Sequence, residues 1–341
     1  MTLPARAAIL DCLGQFPPPV PVNWAAEGRE ERDGVEYTRI TYDLSPAPPL
    51  AHAMRQGSEV ERVAAWLLRP TEAGRAASGG GRLPGVLAIH PHAGQYHLGK
   101  SETAGLTGNP DWHYGLELAR RGYIVLCPDL LGFEDRRPPE PLRTTHASSL
   151  EDRNYELWLG KVLAVQGSSL QARYVSDLSR ALDVLAAQPD VDADRLGCLG
   201  HSGGGQETLW LAWYDERVKA AVSAGGVSLL SVIIANAINH MMAMWVPRLL
   251  TICDLDRIVA GIAPRACLLT HGESDPIFPL DGVRRIASTA EAAYREQGAP
   301  DRFALRTFPV GHLFPPEMRE VTYQWLDHWL KPGADPGPRE V

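Results

Sequence analysis

Apolar positions along this chain change period several times, and the changes mark out its elements. Alternating apolar and polar residues, many of them β-branched, predict strands over residues 35–44 and 60–68. Gly85-Val86-Leu87-Ala88-Ile89 is an unbroken apolar run, the pattern of a strand buried on both faces. From there extended and helical patterns alternate. Residues 123–127, 196–199, 218–223, 266–270 and 303–308 read as strands. Residues 112–121 and 171–188 read as helices, the second with Val175, Leu178, Leu182 and Leu185 on one face. A last helix over 316–330 carries Met318, Val321, Trp325 and Trp329 as its apolar stripe. The alternation predicts an α/β fold, a mostly parallel eight-stranded sheet with helices on both faces.

Two stretches interrupt the alternation and read as cap-like insertions. Residues 132–167 contain the polar run Arg136-Arg137-Pro138-Pro139-Glu140-Pro141, and residues 226–260 contain Met241, Met242, Met244 and Trp245. Both follow C-terminal ends of strands, where parallel sheets place their ligands. The Met-rich segment suits core packing, a subunit contact or a flexible apolar wall over a pocket. A short amphipathic helix and Pro-rich coil make residues 1–34 an N-terminal extension. Residues 70–84, rich in Gly, Ala and Ser, read as a mobile surface loop, and 332–341 as a C-terminal tail. A single domain over 35–331 with no internal repeat is expected.

Composition narrows the function. Of 341 residues, 45% are hydrophobic and 22% charged, ordinary for a globular chain able to bury a large core. A net charge of −8 without a basic stripe argues against nucleic acid as a partner. Cys12, Cys127, Cys198, Cys253 and Cys267 show no paired spacing, which predicts free thiols and a cytoplasmic, reducing location. Residues 1–13 lack a basic stretch followed by a long apolar run, so no secretion signal is expected. The apolar stretch 227–250 is broken by Asn236, Asn239, His240 and Pro247, so no membrane span is expected.

The chemistry centres on Gly200-His201-Ser202-Gly203-Gly204, set between an apolar run and a helical stretch. Strand, sharp turn and helix with serine at the apex lift the hydroxyl clear of the sheet. Read alone, the five residues also suit a glycine-rich turn whose serine caps a helix. A nucleophilic serine needs a base and an orienting carboxylate, in the chain order Ser, Asp, His. His271-Gly272-Glu273-Ser274-Asp275-Pro276 follows the next-to-last strand, and Gly311-His312 the last. Asp275 and His312 are therefore the acid and base, with Glu273 as a rival carboxylate and His271 as a core histidine. One oxyanion donor is the amide of Gly203. The other comes from the loop after residue 89, where Pro91 has no N–H and His92 or Ala93 must serve. His90, His92 and His97 also invite a metal reading, but their spacing and the missing acidic partner disfavour it, and no metal or cofactor is expected. His201 packs behind the turn, or lines the substrate pocket with His90, Met242 and Trp245.

These motifs resemble the α/β-hydrolase superfamily. His90-Pro91-His92 with Gly99-Lys100-Ser101-Glu102, Pro128-Asp129 with Gly132-Phe133-Glu134-Asp135-Arg136, and Ile262-Ala263-Pro264-Arg265 resemble its dienelactone hydrolase and acetyl xylan esterase-like branch over residues 83–330. The resemblance implies Ser202 as nucleophile, Asp275 as acid and His312 as base. Ser202 stands where dienelactone hydrolases proper carry cysteine, which favours ester or acyl hydrolysis. The expected partner is a small-molecule acyl substrate, with a homodimer left open. Hydrolysis of a C–C bond, lactone or thioester, and intramolecular acyl transfer, reuse the same residues. A non-catalytic binding scaffold is the reading of another class.

Overall fold

Strands gather into one nine-stranded sheet in a computed structural model that describes residues 6–45, 60–71, 81–138, 143 and 149–331. The expected loop at 70–84 lies largely outside these residues and the tail at 332–341 wholly so. In chain order the strands are β1 (Trp24–Arg32), β2 (Val35–Leu44), β3 (Glu61–Pro70), β4 (Leu83–Ile89), β5 (Ile124–Pro128), β6 (Val191–His201), β7 (Val218–Ala224), β8 (Ala266–Gly272) and β9 (Phe303–Phe308). They lie in the order β1-β2-β3-β5-β4-β6-β7-β8-β9. From β5 to β9 every neighbour is parallel, while β1, β2 and β3 form an antiparallel flank joined to β5.

The sheet therefore has nine strands, not eight, and the extra one lies in the stretch read as extension and coil. All but the first residue of β1 are exposed, so it shows no apolar alternation; it pairs with β2 through its backbone and through the ion pairs Arg29–Glu36 and Glu27–Arg39. Its signal is the turn. Arg32 pairs with Val35, and the two residues between, Asp33 at φ 51° and Gly34 at φ 78°, form the Asp-Gly hairpin that matches strand twist. Charges along β1 suit an edge that must not recruit further strands.

The helices are α1 (Arg6–Leu13), α2 (Lys100–Thr103), α3 (Tyr114–Arg120), α4 (Asp152–Val165), α5 (Leu170–Ala186), α6 (Gly203–Tyr214), α7 (Leu230–Ala235), α8 (Leu255–Ala260), α9 (Leu280–Glu296) and α10 (Pro316–Leu330). Two core layers sandwich the sheet. Leu87 and Ile89 of β4 face one, with α5, α6 and α9; Val86 and Ala88 face the other, with α3 and α10. Both faces are covered, which is why β4 is apolar throughout. On α10 the buried row is Met318, Thr322, Leu326 and Leu330; Val321, Trp325 and Trp329, expected as the stripe, flank it half-buried. The i,i+4 row, not the mixed i,i+3 row, runs along the sheet. Among the described residues no helix is long and apolar enough to cross a membrane. All five cysteines are unpaired, four of them buried.

Candidate active site

The end of β6 and the start of α6 leave one residue between them, Ser202, at φ 55° and ψ −122°. A side chain other than glycine is strained there and is held only by its surroundings. The surroundings are tight. A Cβ on Gly200 would stand 2.2 Å from the Gly204 carbonyl, and one on Gly204 would stand 2.1 Å from the Ile89 oxygen. Two glycines thus let α6 approach β6 and β4 closely enough to make the turn. The Ser202 amide is held by the Ala224 carbonyl at 2.8 Å.

Loops after β8 and β9 bring two more groups to this corner. His312 Nε2 lies 2.8 Å from Ser202 Oγ, and His312 Nδ1 lies 2.7 Å from Asp275 Oδ2. The other Asp275 oxygen accepts the amides of Ile277 at 2.9 Å and Phe278 at 3.0 Å. Burial works against the carboxylate charge, but His312 and these two amides outweigh it and hold its pKa below the usual value. Ionised Asp275 fixes the proton of neutral His312 on Nδ1, leaving Nε2 free to accept from the serine hydroxyl. Glu273, the rival carboxylate, is exposed and accepts the Thr307 hydroxyl at 2.9 Å. His271 is buried against the Phe278 carbonyl at 2.8 Å.

The loop after β4 closes the other side. The amide of His92 lies 3.2 Å from where a Cβ on Gly203 would stand. Gly203 is the first residue of α6, so its N–H has no acceptor within the helix. Of the two loop amides expected beside Gly203, that of His92 makes this approach, while Ala93 adopts φ 46° on the exposed side. A residue absent from the sequence reading braces the loop. Glu156, buried on α4, accepts the Tyr96 hydroxyl at 2.6 Å and the Met242 amide at 2.8 Å, and lies 3.2 Å from His92 Nε2. His92 Nδ1 accepts the Gly94 amide at 3.2 Å, so Nε2 carries the hydrogen given to Glu156. Burial opposes the Glu156 charge, but these donors hold its pKa below the ordinary value. Glu156 thereby ties both insertions to the loop; nothing in its local sequence pattern signals that role.

The expected pocket residues divide. His90 is buried, with Nδ1 on the Pro91 carbonyl at 2.9 Å and Nε2 accepting the Leu130 amide at 3.1 Å, so it links two loops and does not line the pocket. His97 is exposed. His201 is buried behind the turn, stacked on Phe314 at 5.4 Å and Trp112 at 5.8 Å, and burial pushes its pKa down to about 3. Met242 turns away onto Gly160 and the core, and its neighbour Met241 reaches Gly203 instead, sulfur at 3.1 Å from the Cβ position. Trp245 joins the apolar cluster of Met241, Met244 and Phe278 beside the site. The sequence does not single out Met241, because the unbroken run of six apolar residues from 241 to 246 gives no period to orient it. A groove of about 720 Å³ lined by Trp24, Arg29, Glu36 and Asp190 opens where β6 begins, at the opposite end of the strands from Ser202.

A buried charge cluster and a buried neutral carboxyl support the site. Lys100 Nζ sits among Asp129 at 2.7 Å, Glu134 at 2.7 Å and Asp135 at 2.9 Å, pinning the loop after β5 to α2. Behind Ser202, Glu207 is buried beside Gln171 with one oxygen unpartnered among the described residues, and burial raises its pKa to about 8. A carboxyl raised in the folded state favours folding fully below its unfolded pKa, and the benefit fades as pH rises. Wild-type melting temperature should therefore fall from about pH 4.5 to about pH 8 more steeply than that of Glu207→Gln. Parallel slopes in the two thermal scans would refute the neutral carboxyl.

A mostly parallel sheet with helices on both faces, carrying a strained serine between strand and helix, defines an α/β-hydrolase. Residues 101–326 match the dienelactone hydrolase family, and the chain belongs to that family. YtaP of Bacillus subtilis (strain 168), named as a hydrolase, is 28% identical over 331 residues, covering 95% of this chain and 98% of YtaP. A Bacteroides fragilis protein titled as an acetyl xylan esterase shares the fold at TM-score 0.66 and 18% identity, over 95% of this chain and 83% of that one. A glucuronoyl esterase from Solibacter usitatus does so at TM-score 0.62 and 17% identity, over 94% and 90%.

Proposed function

We propose that this protein hydrolyses a carboxylic ester of a small molecule through an acyl-enzyme. The observation that carries the reading is the continuous hydrogen-bonded chain Asp275–His312–Ser202. Ser202 Oγ attacks the carbonyl carbon while His312 Nε2 takes its proton. Asp275 orients His312 and stabilises the imidazolium. The amides of Gly203 and His92 form the oxyanion hole for the negative charge that develops on the carbonyl oxygen. The tetrahedral intermediate collapses, His312 returns the proton to the leaving alcohol, and the acyl group stays on Ser202. Water, deprotonated by His312, then releases the acid. The fold's likeness to structures titled as acetyl xylan and glucuronoyl esterases supports an ester as substrate. Five unpaired cysteines support a cytoplasmic location.

A fluorophosphonate probe tests this directly, because it reacts with a serine only when a base and oxyanion donors activate it. Peptide mass spectrometry should find one adduct, on Ser202. Folded protein that stays unlabelled would point instead to a binding scaffold.

A further inference from the structure

The insertion at 226–260 brings a second histidine to the site that the mechanism above does not use. The His240 ring packs on Phe278 with centroids 4.5 Å apart, and Phe278 stacks on His312 at 5.7 Å. The next residue, Met241, is the one whose sulfur approaches Gly203. His240 thus stands where the insertion passes between the base and the oxyanion corner.

Its tautomer is set by its own backbone. Nδ1 accepts the Met241 amide at 3.0 Å, so in the neutral ring the hydrogen sits on Nε2. Four titratable groups face this ring. Burial first, then the imidazoles of His92 and His312, favour the neutral form, while the carboxylates of Asp275 and Glu156 oppose them; the pKa falls to about 4. The Nε2–H is fully buried and meets no acceptor among the described residues. Phe278, on which the ring packs, belongs to an apolar cluster with Met241, Met244 and Ile233. Trp245 Nε1 donates to the His240 carbonyl at 3.4 Å, which holds the segment in place. A buried donor left unpaired costs stability unless something in the working molecule uses it.

We propose that His240 is a substrate-positioning residue whose Nε2–H donates to a neutral oxygen of the substrate other than the scissile carbonyl. The inference rests on the ester-hydrolase reading. It specifies the substrate class as an ester bearing an ether, hydroxyl or carbonyl oxygen on an otherwise apolar group. A charged oxygen is disfavoured because Asp275 and Glu156 face the same ring.

Two pairs of isosteric esters test it, each exchanging one CH₂ for oxygen. On the acyl side they are 4-nitrophenyl butyrate and 4-nitrophenyl methoxyacetate; on the alcohol side, butyl acetate and 2-methoxyethyl acetate. The readout is the ratio of kcat/KM, oxygenated over plain, in wild type, His240→Leu and His240→Gln. In one pair the ratio should fall about tenfold in His240→Leu, the value of one hydrogen bond. The plain ester should change little, and His240→Gln, which keeps an N–H donor, should recover part of the ratio. Unchanged ratios in both pairs, with the plain esters still hydrolysed, would overturn this inference alone. Wild-type protein that hydrolyses none of the four esters would overturn the ester reading and this inference with it.

Discussion

Ester turnover should drop by about 10⁴–10⁶-fold when Ser202 is replaced by alanine, with the fold intact. His312→Ala should cost a similar factor, and the double variant little more than either single one. Such non-additivity is the mark of groups that act as one unit: once the hydroxyl is gone, the base has nothing to deprotonate. Asp275→Asn should lose about 10⁴-fold for a different reason. The asparagine oxygen would go on accepting the Ile277 and Phe278 amides, which turns its NH₂ toward His312. His312 would then present a lone pair to residue 275 and a hydrogen to Ser202, the wrong tautomer for a base. Steady-state kinetics on a 4-nitrophenyl ester would check all four variants. Retention of more than a tenth of wild-type kcat by Ser202→Ala would end the nucleophile assignment.

Glu156→Leu should lower kcat by about 10²–10³-fold, the usual cost of losing one oxyanion donor, although Glu156 itself touches no reacting atom. Leucine leaves the Tyr96 hydroxyl and the Met242 amide without their acceptor, and leaves His92 Nε2 only the Tyr96 oxygen at 3.3 Å. Each buried donor abandoned in this way costs about 1–3 kcal/mol, so thermal stability should fall as well. A structural defect alone would lower the melting temperature without a selective loss in kcat. Glu156→Gln separates the two effects, because it still offers an oxygen to the Met242 amide. It should recover most of the stability and part of kcat while KM stays near the wild-type value. Wild-type kcat in a folded Glu156→Leu protein would show that the His92 amide needs no such brace.

Much of this was legible from the chain, and the reasons are local. The β4 run, the alternation of β2 and the one-sided face of α5 each encode their own period, and the structure contains those elements. Ser202, Asp275 and His312 were picked out because each sits just past a strand, where the order of elements alone brings strand ends to one edge. Side chains that depend on how two loops meet were not legible. Glu156 and His240 lie in insertions without a clear period, and their partners are set by packing that no spacing encodes. The ninth strand was lost for a third reason. An exposed edge has no burial pattern, and Asp33-Gly34, its one strong signal, lies in a stretch taken for coil.

Lys100 has a consequence beyond holding a loop. Three carboxylates converging within 4.8 Å resemble the oxygen cage that a divalent ion fills in other proteins. Here the positive charge arrives on a tethered side chain, synthesised with the chain and delivered by α2 as it folds. The counter-charge for this corner thus arrives with folding itself, whatever the calcium or magnesium of the surroundings.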